Sequence, residues 1–299
     1  IIDLYPSGFI RYAKDTNGGY GTATKLNGFW GNILNFISYF LIDCPPLYVG
    51  YLISILDQSG IQTFYSRKIN DTKYFSVLII VSSIVTYEND YLIAKDLINK
   101  GKKVFFAGPF SNFIRDELKN IGANVIPGEP ELFINSLNQK QLYDYFYGRD
   151  ELFNLNDLKI NNDLNSLPMP SWEKVFNNYW LRLLILGRGK TIPISSSRGC
   201  PYSCSYYCTY PLNQGSRVRY RDPVSVIDEI MHWNKKFKIR NFQFRDPVFT
   251  INRKHAKEIC REIISREIRI NYLVELHLKD VDRSEEHTSE LQSLTNLVC

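Results

Sequence analysis

Three cysteines, Cys200, Cys204 and Cys208, fall within nine residues of a 299-residue chain, while Cys44, Cys260 and Cys299 are scattered. Thiolates bind iron and zinc strongly, so this crowding points to a metal-binding loop. Three thiolates on a four-iron cluster leave one iron open, and a fourth protein ligand would close it. Structural zinc is the competing reading. It takes four ligands, commonly as paired Cys or His, and His232 or His255 would have to fold in to complete the set. A third reading, three buried free thiols, gives Arg198, Gly199 and Pro201 no part to play. Gly199 and Pro201 help a chain wrap closely around a cluster. A disulfide scaffold would be shorter and denser in Cys, so a reducing cytoplasm is the expected setting.

The run Ser197-Arg198-Gly199-Cys200-Pro201-Tyr202-Ser203-Cys204-Ser205-Tyr206-Tyr207-Cys208 resembles the cluster loop of the radical S-adenosylmethionine (radical SAM) family. The usual spacing there is Cys-x-x-x-Cys-x-x-Cys, with an aromatic residue before the third cysteine. Here the second gap holds three residues and Tyr207 keeps the aromatic place, so Cys208 is the implied third ligand. In that family the open iron chelates the amino and carboxylate groups of SAM. An electron from the reduced cluster then cleaves the sulfonium to give a 5′-deoxyadenosyl radical. The resemblance implies an enzyme with a 4Fe-4S cluster on Cys200, Cys204 and Cys208 and with SAM near Tyr207. It also implies a small-molecule substrate and an external electron donor of flavodoxin or ferredoxin type.

The loop needs a scaffold, and the flanking sequence supplies one. Thr191–Ser196 reads as a strand running into the loop. Asp222, Pro223 and Ser225 signal a helix start that continues through Val226–Trp233. Phe242–Phe244 reads as a strand ending in Arg245-Asp246-Pro247, Asn252 to Ile264 as a helix, and Ile270–Leu276 as a third strand. Cys260 falls on that helix as a core residue. This βαβαβ run resembles the first half of a partial (β/α) barrel, whose active site lies at the C-terminal ends of its strands. On that resemblance Arg245, Asp246 and Glu275 are candidate SAM contacts, with a helix cap for Asp246 and a surface charge for Glu275 as the alternatives.

The N-terminal half reads as a doubly wound α/β domain. Ile1–Tyr5 is a short apolar strand followed by a long glycine-bearing segment. Leu47–Ser59 has helical spacing and stops at Gly60, and Gln62–Tyr65 is a candidate second strand. Phe75–Ser82 and Lys103–Ala107 are apolar runs of the kind buried on both faces of a parallel sheet. Tyr91–Asn99 and Arg115–Asn120 read as helices, and Asn124–Ile126 as a short strand. Ligands of such sheets sit at the C-terminal strand ends. Those ends carry Ser82, Ser83 and Thr86, then Gly108-Pro109, then Gly128-Glu129. In order and spacing, residues 1–140 resemble the cobalamin-binding domain that precedes many radical SAM barrels. The resemblance implies a cobalamin site on Ser82, Ser83, Thr86, Gly108, Pro109, Gly128 and Glu129. The Asp-x-His-x-x-Gly motif of cobalamin mutases is absent, since no His precedes His232. A domain of this fold that binds no cobalamin is the alternative.

The expected layout is therefore a cobalamin-binding-like domain over 1–150, a linker over 151–190 and a truncated radical SAM barrel over 191–282. In the linker, Leu167-Pro168-Met169-Pro170-Ser171-Trp172 resembles the stiff joining segment of the same group. Residues 283–299 open with RSEEHTSELQS, which resembles a translated sequencing adapter. They are expected to be an artefactual tail, and the natural chain to continue beyond it. The chain also begins at Ile1 rather than Met, as a fragment would, and no charged-then-apolar leader opens it, so secretion is not expected. The net charge of +5 includes no dense basic patch, which argues against nucleic acid. Its longest apolar runs, Phe36–Ile42 and Phe75–Ser83, are too short to span a bilayer.

Overall fold

The computed structural model describes residues 1–6, 10–15, 18, 20–41, 45–148, 160–176, 190–202, 204, 208–277 and 280. The chain is mixed α/β, with its two main sheets parallel. It divides into two compact units. One comprises Ile1–Tyr39 and Tyr48–Tyr179, the other Phe40–Leu47 and Trp180–Cys299.

The first unit opens with a segment that joins the sheet by isolated parallel bridges, Ile2 with Ser66 and Ile2 with Ile80. An antiparallel hairpin follows, β1 (Arg11–Ala13) with β2 (Thr22–Thr24), then α1 (Phe29–Leu41) and α2 (Leu47–Gln58). Gly60, at φ +83°, ends the turn after α2. Strand β3 (Val77–Val81) leads through α3 (Tyr87–Asn99) to β4 (Lys103–Ala107), and α4 (Arg115–Asn120) leads to β5 (Asn124–Val125). Helices α5 (Pro130–Asn135), α6 (Gln139–Tyr147) and α7 (Glu173–Phe176) complete the unit.

Strands β3, β4 and β5 lie in that order, all parallel. With the bridges at Ser66 and Ile2, the lateral order by chain position is second, first, third, fourth, fifth. The order reverses between the Ile1–Leu4 segment and β3, and such a reversal opens a crevice at the C-terminal strand ends. The core beneath is formed by Ile2, Leu4, Leu78, Ile80, Val104, Phe106, Leu118 and Val125. The candidate second strand over Gln62–Tyr65 is reduced to a bridge at Ser66. The glycine-bearing segment carries the hairpin and α1, neither of which its composition announced.

In the second unit β6 (Thr191–Ile194) is followed by β7 (Ser197–Arg198), α8 (Tyr210–Gln214) and β8 (Arg219–Tyr220). Helix α9 (Pro223–Phe237) leads to β9 (Asn241–Phe244), and α10 (Arg253–Ser265) to β10 (Asn271–Leu273). Strands β6, β9 and β10 form one parallel sheet with β9 central. Both helices start on side-chain caps: Asp222 accepts from the Ser225 amide at 2.9 Å, and Asn252 from the Lys254 amide at 3.1 Å. Among the described residues no helix is long and apolar enough to cross a membrane.

Candidate functional site

The cysteine loop leaves the C-terminal end of β6 and is pinched at its root. β7 and β8 pair antiparallel, Ser197 opposite Tyr220 and Arg198 opposite Arg219. Gly199, at φ +93°, passes so close to the returning chain that a Cβ would sit 2.4 Å from the Arg217 carbonyl oxygen. Only glycine fits there. The Cys200 amide donates to the Gly215 carbonyl at 3.1 Å, and the Gly199 amide to Gln214 Oε1 at 3.0 Å.

Cys200 is buried and shares an apolar cluster with Tyr210 and Val248, against which Cys208 and Tyr202 pack. Cys204 is exposed, and all three thiols are free. Burial pushes the Cys200 thiol up, and the neighbouring Cys208 and Cys204 add to the effect. A bare thiolate is disfavoured in this setting and a cation-bound one is not. Among the described residues no three His, Cys, Asp or Glu side chains are gathered tightly enough to hold a metal ion. The thiols are therefore brought to one loop without being drawn into a ligand cage. Tyr207 lies outside the described residues, as does the tail 283–299.

Two buried charge systems hold the loop's root. Asp246, fully buried at the end of β9, accepts from the Ser196 amide at 2.7 Å, from the Ser196 hydroxyl, and from the Ser197 hydroxyl at 2.9 Å. Burial raises its pKa, and the serine hydrogen bonds oppose the rise. On the returning side Arg221 donates to the Ser195 carbonyl at 3.0 Å and to Glu229 at 2.7 Å. His255 Nε2 lies 2.8 Å from the Arg221 carbonyl. Arg245 is buried and ion-paired at 3.6 Å with Glu275, which is about one-third exposed. Arg245 and Glu275 thus come together at the strand ends, while the Asp246 carboxylate turns inward to the serines.

The C-terminal strand ends of the first unit form a second polar centre. Ser82, Ser83 and Thr86 are buried there. Gly108, at φ +133°, packs so tightly that a Cβ would sit 2.2 Å from the Ser82 carbonyl oxygen. Pro109 is buried, and the exposed Gly128 donates its amide to Asn112 Oδ1 at 3.1 Å, which ties the two turns together. Glu129 caps α5, its carbonyl accepting from the Leu132 and Phe133 amides at 3.1 Å. The hydroxyls of Tyr20 and Ser111 are buried and have no hydrogen-bond partner among the described residues.

Sequence reasoning missed the charges beneath these turns. Lys14 and Asp3 are both buried and 3.1 Å apart, and Lys14 also donates to the Val81 carbonyl at 2.5 Å. Asp90 stands 3.9 Å from Lys14 and accepts from the Thr86 hydroxyl at 2.7 Å. Tyr65 donates to Asp3 at 2.8 Å. Asp3 lies in the N-terminal extended segment, Lys14 just past β1 and Asp90 on α3, so no local pattern joins them.

No family model matches the chain. It is 26% identical over 218 residues to bacteriochlorophyllide d C-12(1)-methyltransferase of Chlorobaculum tepidum, covering 70% of this chain and 45% of that protein. It is 24% identical over 277 residues to the anaerobic magnesium-protoporphyrin IX monomethyl ester cyclase of Cereibacter sphaeroides, covering 81% and 44%. The radical SAM methyltransferase TsrM of Kitasatospora setae, solved with cobalamin and a [4Fe-4S] cluster, superposes with a TM-score of 0.57 at 14% identity over 84% of this chain and 55% of that one. In sequence the chain is thus similar to a methyltransferase and to a cyclase, and in fold to a radical SAM methyltransferase. It spans less than half the length of either curated relative.

Proposed function

We propose that the chain is the cofactor-binding part of a cobalamin-dependent radical SAM enzyme, which transfers a methyl group or carries out related radical chemistry on a small molecule. The observation that carries the reading is the cysteine loop, pinched by β7 and β8 at the end of a parallel strand, with Cys200 and Cys208 on one cluster of side chains. Cys200, Cys204 and Cys208 would hold a 4Fe-4S cluster, a three-thiolate donor set suited to leaving one iron open. When bound, that cluster supplies the electron that cleaves SAM.

The chain's own residues supply position. Gly199 lets the loop root close tightly. Arg245 and Glu275 present a cation and a carboxylate at the strand ends, matched to the carboxylate and ammonium of an amino acid such as SAM, with Tyr207 as a further contact. In the first unit, Ser82, Ser83, Thr86, Gly108, Pro109, Gly128 and Glu129 would form the cobalamin cradle. The Tyr20 and Ser111 hydroxyls, without a partner among the described residues, and the closely packed Gly108 fit a polar ligand there. The proposed layout is a doubly wound cobalamin domain over 1–150, a linker over 151–190 and the first part of a partial (β/α) barrel over 191–282. The proposed setting is the cytoplasm, with an external flavodoxin or ferredoxin as electron donor.

Anaerobic reconstitution of the chain with iron and sulfide tests this. A reduced cluster whose electron paramagnetic resonance spectrum shifts on adding SAM is the expected result, with both cluster and SAM cleavage lost in Cys204→Ala. A chain that takes up no cluster, or cleavage that survives that substitution, refutes the assignment.

A further inference from the structure

The chain leaves β6 at Ile194 and reaches Cys200 six residues later. Three consecutive serines fill most of that distance, and serine has little conformational preference of its own outside turns and caps. Something else must set the path. Asp246 gathers the Ser196 amide and both the Ser196 and Ser197 hydroxyls onto one carboxylate at 0% exposure. One residue earlier, the Arg245 amide donates to the Ile194 carbonyl at 2.7 Å, so β9 holds both the end of β6 and the turn beyond it.

We propose that Asp246 is a positioning residue for the cysteine loop: it fixes the Ser196-Ser197 turn and, through β7, the place where Cys200 stands. The proposal rests on the reading of Cys200, Cys204 and Cys208 as cluster ligands. The coupling has a physical basis. A buried carboxylate is tolerated only while its hydrogen-bond donors stay with it, and losing one leaves a costly unsatisfied group. The turn therefore cannot drift without stranding the charge. Arg221 on the returning strand grips the same turn from the other side, its amide donating to the Ser196 carbonyl at 2.8 Å and its side chain to the Ser195 carbonyl and to Glu229. Asp246 supplies the anchor between the outgoing leg and the end of β9.

A positioning role and a direct contact with SAM predict different things. If Asp246 acts through the serines, removing their hydroxyls reproduces the loss of the carboxylate. If it touches SAM, the serines are dispensable. The test uses the whole chain without cluster, labelled anaerobically with iodoacetamide and read by peptide mass spectrometry. Cys200 is 4% exposed, while Cys260, half-buried on α10, reports whether the unit stays folded. Asp246→Asn and the double variant S196A/S197A should each raise the Cys200 labelling rate roughly ten-fold or more through local opening, with Cys260 unchanged. Ser197→Thr, which keeps the hydroxyl, should label at the wild-type rate. An unchanged Cys200 rate in either of the first two variants, or a rise shared equally by Cys260, overturns the proposal. Iron uptake is then measured on the same proteins. A wild-type chain that binds no cluster sinks the proposed function, while the labelling result still decides the role of Asp246.

Discussion

Asp90 shows how one residue can set a pH dependence. It is buried beside Lys14, and the Thr86 hydroxyl donates to it, yet burial outweighs both and lifts its pKa from 3.8 to about 6. A carboxylate with a raised folded-state pKa favours folding least when ionised. Below about pH 4 both folded and unfolded chains carry the proton and the difference vanishes. Between about pH 4 and 6 the unfolded chain ionises first, so stability falls; above about pH 6 the whole penalty applies, on the order of 3 kcal/mol. Asp90→Asn keeps an acceptor for Thr86 and removes the charge. Its stability relative to wild type, read from urea midpoints, should therefore grow as pH rises from about 4.5 to 7 and then level off. A gap that stays constant across that range would show that Asp90 titrates normally.

At the scale of elements, legibility followed burial. Strands β3 and β4 are continuous apolar runs, and such runs have few alternatives to a parallel sheet with both faces covered. Helices α9 and α10 announced themselves through Asp222-Pro223 and Asn252, which cap them as their chemistry requires. The hairpin and α1 were illegible for the opposite reason. Phe29 and Trp30 of α1 are each 74% exposed while Asn35 is buried, so apolar character does not mark the inward face of that helix. The site split the same way. The cysteine spacing is local and survives in sequence. Whether Asp246 faces solvent or three serine donors depends on residues fifty positions earlier, and no local pattern encodes that. The segment ending in Trp172 makes a related point. Its prolines mark it as extended, and the structure adds that Trp172 is fully buried against Gly50 of α2, where a Cβ would stand 2.8 Å from the indole. The Ser171 amide also donates to the Gly50 carbonyl at 2.9 Å. Gly50→Ala should cost about 1–3 kcal/mol by overpacking, measured as a lower denaturant midpoint at unchanged slope.

For the molecule as a whole, the two polar centres belong to different units, and the proposed function gives each its own ligand. The proposed cobalamin cradle depends on residues between Tyr20 and Glu129, and the cluster loop on residues between Ser196 and Asp246. Loading should reflect that division. The chain, incubated with hydroxocobalamin and desalted, should retain about one corrin per chain by absorbance, and reconstitution should add about four irons. Cys204→Ala should lose the iron and keep the corrin. Loss of both in that variant would mean that the two sites do not load separately.

Ile194 in β6 turns its carbonyl toward β9, where it accepts from Arg245. The neighbouring Pro193 therefore turns the opposite way, toward the edge where β6 has no second partner among the described residues. A proline has no amide proton to offer there. A strand arriving along that edge would find the middle of its ladder missing, whether it came from the same chain or from another copy. β6 is thus a built-in terminus: the sheet can grow past β10, but on the side that launches the cysteine loop it resists both ring closure and the strand-on-strand stacking that begins aggregation.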